Sequence, residues 1–366
     1  MSYIWESQNW PDFYYDETAV NAVKDRLYTQ KLMTDSAFSV VDEQMLRSLQ
    51  VKAVSNDIIA SLSIEDETID AESVLSSVSK HLDVFYNGKG RDDVYATAIF
   101  SIVSDAIENT SAMTHDRLFD WQKQLFIHKV GFRPKGLGSY RIGPEFILKA
   151  SGKKTEIIYE AVPAQAVRSE MERLLAYVNE NTKQDPFIKA AITSLWFVII
   201  HPFEDGNGRI SRSLADYVLA RSLHDGFRTF SISGSILRKR REYYDEIQAV
   251  STGDSLDVTP WVVWFLETVT ESIQESREVL RRTLAVTSFM KSLDPSEYNS
   301  RELSMLYRLA DGSFYGKLTN EKWMKITKCS NAAAFRDIQH LVAQGFLIPS
   351  GDSGRNTGYY FNSDKI

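Results

Sequence analysis

Apolar residues recur at helical spacing along most of the chain, and this pattern predicts a mainly helical protein. Val20, Val23 and Leu27 lie three or four positions apart, so they share one face of a helix. A second helix is predicted over residues 42–62. The stretch 187–200 is apolar on almost every side, which is typical of a helix buried at the centre of a bundle. We therefore expect a helical core built around this stretch.

The helical pattern is interrupted twice by segments of strand character. Between residues 136 and 162, two short runs of apolar or β-branched residues flank the sequence SGKK. This arrangement predicts a hairpin with strands at 141–145 and 155–161. After residue 294, three short helical segments precede a strand, a glycine-rich turn and another strand. Three helices followed by a hairpin predict a winged helix-turn-helix.

Turn-forming sequences divide the chain into three predicted regions. Residues 1–92 form an N-terminal helical domain that ends in the sequence NGKGRDD, a strong helix breaker. Residues 93–293 form a helical domain that contains the hairpin, and residues 294–366 form the winged helix. The predicted fold class is therefore mainly α, a helical bundle core with one β-hairpin, an N-terminal helical domain and a C-terminal winged helix-turn-helix.

Composition narrows the protein class without naming a function. The chain has 366 residues, of which 43% are apolar and 25% charged, as in ordinary globular proteins. Cys329 is the only cysteine, which excludes a disulfide scaffold. The N-terminus is acidic and aromatic, unlike a secretory signal, and the longest apolar run, LWFVII, is too short to cross a membrane. We expect a cytoplasmic protein that does not act at a membrane.

The segment HPFEDGNGRISR, residues 201–212, carries the strongest chemical signal. It follows the buried stretch and leads into another amphipathic helix. Gly206 and Gly208 have no Cβ, so backbone N–H groups can converge at the positive end of that helix and bind an anion. Arg209 and Arg212 are three positions apart and therefore neighbours on its first turns, where guanidinium groups suit phosphate oxygens.

Two further residues complete this predicted site. Asp205 is a hard oxygen ligand beside the predicted phosphates, as Mg²⁺ requires. His201 is suited to proton abstraction. Taken singly, a glycine turn, an Asp–Arg pair or a histidine is most often structural, so it is their combination within twelve residues that indicates a phosphate-handling active site with a general base. The GxxxxGK(S/T) pattern and a second ligand at zinc spacing are both absent from this segment, which excludes a Walker A loop and a zinc site.

The same segment resembles the signature of the Fic (filamentation induced by cAMP) family, HxFx(D/E)GNGRxxR, at every defined position. The upstream sequence MTHDRLFDWQKQLF, the hairpin and the downstream sequence KRREYYDEI resemble the same family. The opening IWESQNWPDFYYD resembles a small domain often found ahead of Fic domains, and a winged helix is a common C-terminal partner. The resemblance thus covers nearly the whole chain.

This resemblance implies a protein adenylyltransferase, which moves AMP from ATP to a Ser, Thr or Tyr hydroxyl of a target protein and releases pyrophosphate. His201 would deprotonate the hydroxyl, and Asp205 would hold Mg²⁺ against the α- and β-phosphates. Asn207 and the backbone amides of Gly206 and Gly208 would bind the phosphates.

The remaining implied roles concern the outer phosphates, the base and the target. Arg209 would bind the β-phosphate and the leaving pyrophosphate, and Arg212 the γ-phosphate. Phe203 would anchor the loop in the core. Tyr243, in preference to its neighbour Tyr244, would lie near the adenine or ribose. The hairpin would act as a flap that holds the target segment by strand addition.

A second family feature lies in the sequence ASLSIEDETID, which resembles an inhibitory helix with the pattern (S/T)xxxE(G/N). Ser61 and Glu65 match and share a helix face because they are four positions apart. The resemblance implies that Glu65 pairs with Arg212 in the place of the γ-phosphate. Asp66 departs from the usual Gly or Asn, and Asp tolerates a left-handed conformation less well. The resemblance therefore does not fix the geometry of this helix end.

Two other functions remain open from the sequence. The same site could remove AMP from a modified protein, with Glu65 orienting a water molecule. Alternatively, the chain could be a transcriptional regulator that senses nucleotides. Residues 295–366 contain nine Lys and Arg against seven Asp and Glu, a net charge of +2 within a chain of net charge −7, which is little for DNA binding. DNA or protein contact through the winged helix, and a homodimer, are both left open.

Overall fold

A computed structural model describes most of the chain. The described residues are 2–85, 93–128, 134–151, 154–224, 226–314, 316–351 and 357–365, with side chains described outside the hairpin stretch 147–158. The predicted breaks at 87–92, 152–153 and 352–356 lie outside the described residues.

The described residues form fourteen α-helices and four short β-strands, which confirms the predicted mainly-α class. The helices are α1 Glu17–Phe38, α2 Glu43–Ile64, α3 Ala71–His81, α4 Val94–Glu108, α5 His115–Phe126, α6 Val167–Asn179, α7 Pro186–Ile200, α8 Asn207–Leu223, α9 Ile232–Arg238, α10 Arg240–Ser251, α11 Thr259–Ser292, α12 Ser300–Ala310, α13 Asn320–Thr327 and α14 Asn331–Ala343. The strands are β1 Phe146–Ser151, β2 Lys154–Glu160, β3 Leu347–Pro349 and β4 Tyr359–Phe361. In the described part of the chain, no helix has both the length and the apolar composition needed to cross a bilayer.

The two helices predicted most clearly from the sequence begin at aspartate caps. The side chains of Asp42 and Asp185 accept hydrogen bonds from backbone N–H groups in the first turns of α2 and α7. Pro186 occupies the first position of α7, where its missing N–H costs nothing. These local signals explain why the predicted helices at 42–62 and 187–200 agree with the structure to within two residues.

The chain divides into two compact units, Met1–Ser276 and Arg277–Ile366. In the first unit α7 is buried from Phe187 to Ile200 and packs along α8. Helix α2 packs on α3 and α9, and α4 packs on α8, so that one hydrophobic core joins them. The predicted boundary at residue 92 stays a prediction about domain organisation, since the chain on both sides of it contributes to this core.

Helix α2 is fixed to the start of α9 by a buried carboxylate. Asp57 accepts hydrogen bonds from the Ser231 hydroxyl at 2.8 Å and from the Ser233 N–H and hydroxyl, each at 2.9 Å. Because Asp57 is buried, these three hydrogen bonds offset the cost of removing the carboxylate from water. The middle of α2 is thereby fixed in the first unit.

The second unit has its own core around Met305, Leu306, Trp323 and Leu341. Helices α12 to α14 are followed by strands β3 and β4, which pair antiparallel with Leu347 opposite Phe361 and Pro349 opposite Tyr359. This is the element order predicted for the winged helix. The boundary predicted at residue 293 remains a prediction; by packing, the units separate after Ser276, inside the continuous helix α11.

The hairpin differs from its prediction in the first strand. Strand β1 begins at Phe146, so the strand predicted at 141–145 is wrong, whereas β2 lies within one residue of the predicted 155–161. Arg141 is buried, and its guanidinium donates to backbone carbonyls that surround it, those of Gly143, Val162, Ile200 and His201. Pro144 has no N–H to donate to a strand partner. The segment is therefore a loop fastened to the end of α7.

Candidate active site

The predicted active-site loop connects the two most closely packed helices of the first unit. Helix α7 ends at Ile200, and His201 turns the chain with a φ of 51°. Gly206 precedes α8 with a φ of 94°, and a Cβ there would lie 2.7 Å from Leu125 Cδ1. Only glycine satisfies both conditions. The hydroxyls of Ser194 and Ser211 lie 2.8 Å apart between the two helices and help to fix them.

The loop is closed by the side chain of Asn207. Its Oδ1 accepts from the Phe203 N–H at 2.9 Å, and its Nδ2 donates to the Phe203 carbonyl at 2.7 Å. Phe203 is fully buried, as expected for an anchor of the loop. The predicted phosphate contact of Asn207 is therefore left to its backbone N–H, because both side-chain groups are engaged in shaping the loop.

The start of α8 provides backbone donors for an anion. The amides of Asn207, Gly208 and Arg209 occupy the first turn, where helix geometry gives them no intrahelical acceptor. They also lie at the positive end of the helix dipole. A side chain on Gly208 would collide with Glu65 Oε1, so the glycine leaves the space that this carboxylate fills.

His201 is a neutral base in this structure. Its Nδ1 lies 3.2 Å from the Val198 carbonyl oxygen, which can only accept, so Nδ1 carries the proton and Nε2 the lone pair. Burial lowers the pKa of His201 to about 4, and the nearby Arg141 guanidinium acts in the same direction. At neutral pH the imidazole is therefore uncharged and able to accept a proton at Nε2.

Asp205 is the candidate magnesium ligand. Its Oδ1 accepts from the Gly206 N–H at 2.6 Å and from Arg209 Nη2 at 3.0 Å. The described residues contain no group of three or more His, Cys, Asp or Glu arranged to hold a metal ion. A single carboxylate fits Mg²⁺ that arrives with a nucleotide, since phosphate oxygens and water would supply its other ligands.

Arg209 lies between two carboxylates at the start of α8. Its side chain is 4% exposed and pairs with Asp205 and, at 2.7 Å between Nη1 and Oε1, with Glu67. The guanidinium carbon lies 5.1 Å from the centre of the Phe126 ring. Its Nε and Nη1 are buried and make no hydrogen bond within the described part of the chain, so the contact of Nη1 with Glu67 is an ion pair without hydrogen-bond geometry.

Arg212 makes the contact with Glu65 that the resemblance to Fic proteins implies, together with two contacts to Ser61. Its Nη1 lies 3.0 Å from Glu65 Oε1, its Nε donates to the Ser61 hydroxyl at 2.9 Å, and its Nη2 donates to the Ser61 carbonyl at 2.7 Å. Burial opposes ionisation of Glu65, but Arg212 and, more weakly, Arg209 and Tyr244 outweigh it and lower the Glu65 pKa. The structure thus holds an ionised carboxylate of α2 against the second arginine of α8.

The segment that contains the candidate site matches a known protein family. Residues 112–219 match the Fic/DOC family, and residues 3–84 match a domain of unknown function, DUF4172. Residues 112–219 are a Fic domain. The protein adenylyltransferases fic-1 of Caenorhabditis elegans and Caenorhabditis briggsae are each 29% identical over 118 residues, which is 32% of this chain and 22% of theirs. The chain therefore matches about a fifth of the length of these curated relatives.

Solved structures agree on the fold. A Fic family protein from Desulfovibrio desulfuricans G20 superposes with a TM-score of 0.54 at 20% identity, covering 95% of this chain and 97% of that one. Residues 134–508 of Fic-1 from Caenorhabditis elegans give a TM-score of 0.51 at 18% identity, covering 74% of this chain and 75% of that one. These matches confirm the predicted helical Fic core.

The end of α2 accommodates Asp66 in place of the expected Gly or Asn. This residue adopts the left-handed conformation, with a φ of 57°. Its carboxylate accepts hydrogen bonds from Arg240 Nη1 at 2.7 Å and Nη2 at 2.6 Å. The Fic pattern places Gly or Asn at this position, whereas here an aspartate takes the same turn and gains a bidentate partner on α10.

The two tyrosines after the Fic signature occupy different environments. Tyr243 is 2% exposed, and its ring centre lies 5.9 Å from that of Trp261 and 5.7 Å from that of Trp264. Tyr244 is 40% exposed, and its hydroxyl donates to Glu65 Oε2 at 3.1 Å. The structure therefore places Tyr244 at the Glu65–Arg212 pair, and the nucleotide contact of Tyr243 stays a prediction that its burial does not favour.

Sequence reasoning missed Glu67, Tyr95 and Arg240, which border the site, and it preferred Tyr243 to Tyr244. Glu67 and Tyr244 each follow closely on a residue that the Fic pattern singles out. Their separation from Glu65 and Tyr243 by one or two positions could have flagged them. Tyr95 and Arg240 carry no such signal, since only the packing of α4 and α10 brings them near α8 and the end of α2.

Proposed function

We propose that this Fic protein is an autoinhibited protein adenylyltransferase, which transfers AMP from ATP to a Ser, Thr or Tyr hydroxyl of a target protein. One observation carries the proposal. A neutral His201, with its lone pair on Nε2, lies in the same short loop that leads to the anion-binding first turn of α8 and its two arginines. A base and a phosphate site therefore meet in one segment of the chain.

The chemistry follows from this arrangement. The target hydroxyl oxygen attacks the α-phosphorus of ATP, the bond from that phosphorus to the oxygen bridging to the β-phosphate breaks, and pyrophosphate leaves. The hydroxyl proton passes to His201 Nε2. The Nδ1–H bond to the Val198 carbonyl keeps the ring in the tautomer and orientation that this step needs. Most of the rate enhancement in such transfers comes from positioning and charge neutralisation.

The phosphates would be held by the start of α8. Its first-turn amides and the guanidinium groups of Arg209 and Arg212 supply positive charge. Asp205 would hold Mg²⁺, which would neutralise further charge on the phosphates. These assignments combine the resemblance to Fic enzymes with the donors present at the helix start.

Glu65 supports the autoinhibited form of the proposal. A triphosphate that reaches Arg212 has to compete with the Glu65 carboxylate at Nη1, while the Ser61 hydroxyl and carbonyl accept from Nε and Nη2 of the same guanidinium. Separating a largely buried ion pair is costly because it leaves a charge without its partner. We therefore expect a slow resting enzyme.

The flap, strands β1 and β2, is the proposed docking site for the target. The two strands pair only with each other in the described part of the chain, so an outer edge could accept an extended target segment. Arg141 binds the His201 carbonyl and so fixes the start of the flap to the active-site loop. A bound target segment would therefore lie at a defined distance from the His201 imidazole. The remaining predicted partners, a second copy of the chain and DNA or protein at the C-terminal unit, stay predictions.

The proposal is tested with radiolabelled ATP, Mg²⁺ and a cell lysate. We expect Glu65→Gly to label protein bands at least tenfold more than the wild type. We expect the additional change His201→Ala to abolish labelling while ATP binding is retained. Glu43→Gln is the matched control, because its side chain is 76% exposed and pairs with Arg47 at the far end of α2. Equal labelling by the wild type and Glu65→Gly contradicts autoinhibition, and full labelling by the His201→Ala form contradicts the base.

A second candidate, removal of AMP from a modified protein, is favoured by one observation. Glu65 is ionised inside the site, and its charge acts on His201. A carboxylate so placed could orient a water molecule for attack on a phosphodiester. Mass spectrometry of an adenylylated target distinguishes the two directions. Loss of AMP with the wild type but not with Glu65→Gln would favour removal over transfer.

A further inference from the structure

We infer that Glu67 is a second inhibitory carboxylate, which occupies Arg209 as Glu65 occupies Arg212 and weakens binding of nucleotides that carry a β-phosphate. This inference rests on the proposed function and deepens it, because it concerns how the same site is regulated. It adds a residue that the inhibitory pattern does not contain.

The contacts of Glu67 are direct and partly shielded from water. Its Oε1 lies 2.7 Å from Arg209 Nη1, and the two side chains are 16% and 4% exposed. Its Oε2 accepts a hydrogen bond from the Tyr95 hydroxyl at 3.0 Å. Tyr95 belongs to α4, so the carboxylate is held between two helices, one of which carries the phosphate site. Such a pair is stronger than one on the open surface.

The turn that ends α2 explains how residues 65 and 67 reach the same helix. The N–H of Asp66 donates to the Ser63 carbonyl at 3.1 Å, and the N–H of Glu67 donates to the Leu62 carbonyl at 3.0 Å. Together with the left-handed Asp66, these two hydrogen bonds form a Schellman motif. The chain reverses within one residue, so the side chains on either side of Asp66 contact successive arginines of α8.

The charges show what this arrangement does to a nucleotide. Asp205 and Glu67 both pair with Arg209, and Glu65 pairs with Arg212, so three carboxylates face two guanidinium groups. A phosphate at the first turn of α8 would thus meet a net negative site. Displacing Glu65 alone leaves Arg209 paired with Glu67. Full access for a triphosphate requires that both acidic side chains move.

Because the two arginines lie at different positions on α8, the expected change in affinity differs among AMP, ADP and ATP. Arg209 is in the first turn of α8, beside the free amides, whereas Arg212 lies one turn farther along. A nucleotide whose α-phosphate lies at the amides therefore reaches Arg209 before Arg212. We expect Glu67→Gln to tighten ADP and ATP binding about tenfold and AMP binding less than twofold. We expect Glu65→Gln to tighten ATP binding more than ADP binding.

The experiment is isothermal titration of the full chain with AMP, ADP and ATP in the presence of Mg²⁺. The variants are Glu67→Gln, Glu65→Gln, Tyr95→Phe and the control Glu43→Gln, each checked by thermal unfolding. Tyr95→Phe leaves Glu67 in place but removes its second partner, so it should tighten ADP binding by a smaller factor. It also serves if Glu67→Gln does not fold. A general structural effect would change the three affinities alike.

The outcomes separate the inference from the proposed function. Tighter ADP and ATP binding by Glu67→Gln, with Glu43→Gln unchanged, supports the inference. If Glu65→Gln tightens ATP binding while Glu67→Gln and Tyr95→Phe match the wild type, the inference is wrong and the proposed function stands. If neither the wild type nor any of these variants binds ATP, the proposed function itself is wrong.

Discussion

Two titratable groups of the first unit, the half-buried His201 and the buried Asp216, are expected to give stability opposite dependences on pH. Asp216 lies on α8 four residues after Arg212 and pairs with Arg228. Burial raises the Asp216 pKa from 3.8 to about 6, with a further contribution from the nearby Asp57, while Arg228 acts in the opposite direction. Burial lowers the His201 pKa from 6.5 to about 4. Both groups therefore titrate differently in the folded and unfolded chain between about pH 4 and pH 6.5.

The signs follow from which state binds the proton. Between pH 6.5 and about pH 4 the unfolded chain binds a proton at His201 and the folded chain does not. The contribution of His201 to the free energy of unfolding is therefore full above pH 6.5 and is lost as the pH falls to about 4. Between pH 3.8 and about pH 6 the folded chain keeps a proton on Asp216 that the unfolded chain releases. The contribution of Asp216 to the free energy of unfolding is therefore full below pH 3.8 and is lost as the pH rises to about 6. At about 1.4 kcal/mol per pKa unit, each contribution is about 3 kcal/mol, and the two nearly cancel in the wild type.

Single substitutions remove the cancellation, and urea unfolding at pH 4, 5, 6 and 7 measures the result. Relative to the wild type, Asp216→Asn should gain about 3 kcal/mol of unfolding free energy as the pH rises from 4 to 7. Relative to the wild type, His201→Ala should lose a similar amount over the same range. Only the change with pH is compared, so the constant cost of each substitution drops out. A difference from the wild type that stays constant between pH 4 and pH 7 would refute the reasoning for that residue.

Three further predictions concern the turn at Asp66, the loop before α8 and the C-terminal unit. Arg240→Gln removes the bidentate partner of Asp66, and because the Asp66 side chain is 79% exposed the pair contributes little to the stability of the turn. We expect protein labelling by the variant to rise no more than about fivefold, and a fall in labelling would contradict a role in holding Glu65. Gly206→Ala places a side chain at a φ of 94° and against Leu125. We expect it to lower the free energy of unfolding by about 2 kcal/mol or more, measured by thermal or urea unfolding. Unchanged stability would show that the loop can relax. With a net charge of only +2 over 295–366, the full chain should not shift DNA in a gel at roughly 150 mM salt, and a shift that weakens steeply with added salt would favour the regulator function instead.

The features that the sequence predicts well depend on neighbouring residues. Helices α2 and α7 are marked by their periodicity and by aspartate caps, and both signals act within one turn of the chain. The chemistry of 201–212 is similarly local, since two glycines, two arginines and a histidine act within one loop and the helix turns that follow it. The pairing of Glu65 with Arg212 spans 147 positions and was predictable only through the resemblance to the Fic family.

The features that the sequence missed depend on packing between distant segments. Strand β1 starts five residues late because Arg141 binds carbonyls at the end of α7, a contact that no local pattern encodes. Tyr243 and Tyr244 are equivalent as sequence, and only the position of Trp261 and Trp264 decides which ring is buried. Glu67 reaches Arg209 through a turn whose central residue departs from the expected Gly or Asn.

The hydrogen bonds of Asp57 restrict how α2 could move Glu65 away from Arg212 if the proposed autoinhibition is to be relieved. Because the middle of α2 is tied to Ser231 and Ser233 two turns before Glu65, the helix cannot swing away as a rigid rod without exposing a buried carboxylate. Activation would instead proceed by fraying of the final turn, from Ser61 onward, while the rest of α2 keeps its place. An activating partner would then need to bind only a few residues at the carboxyl end of α2.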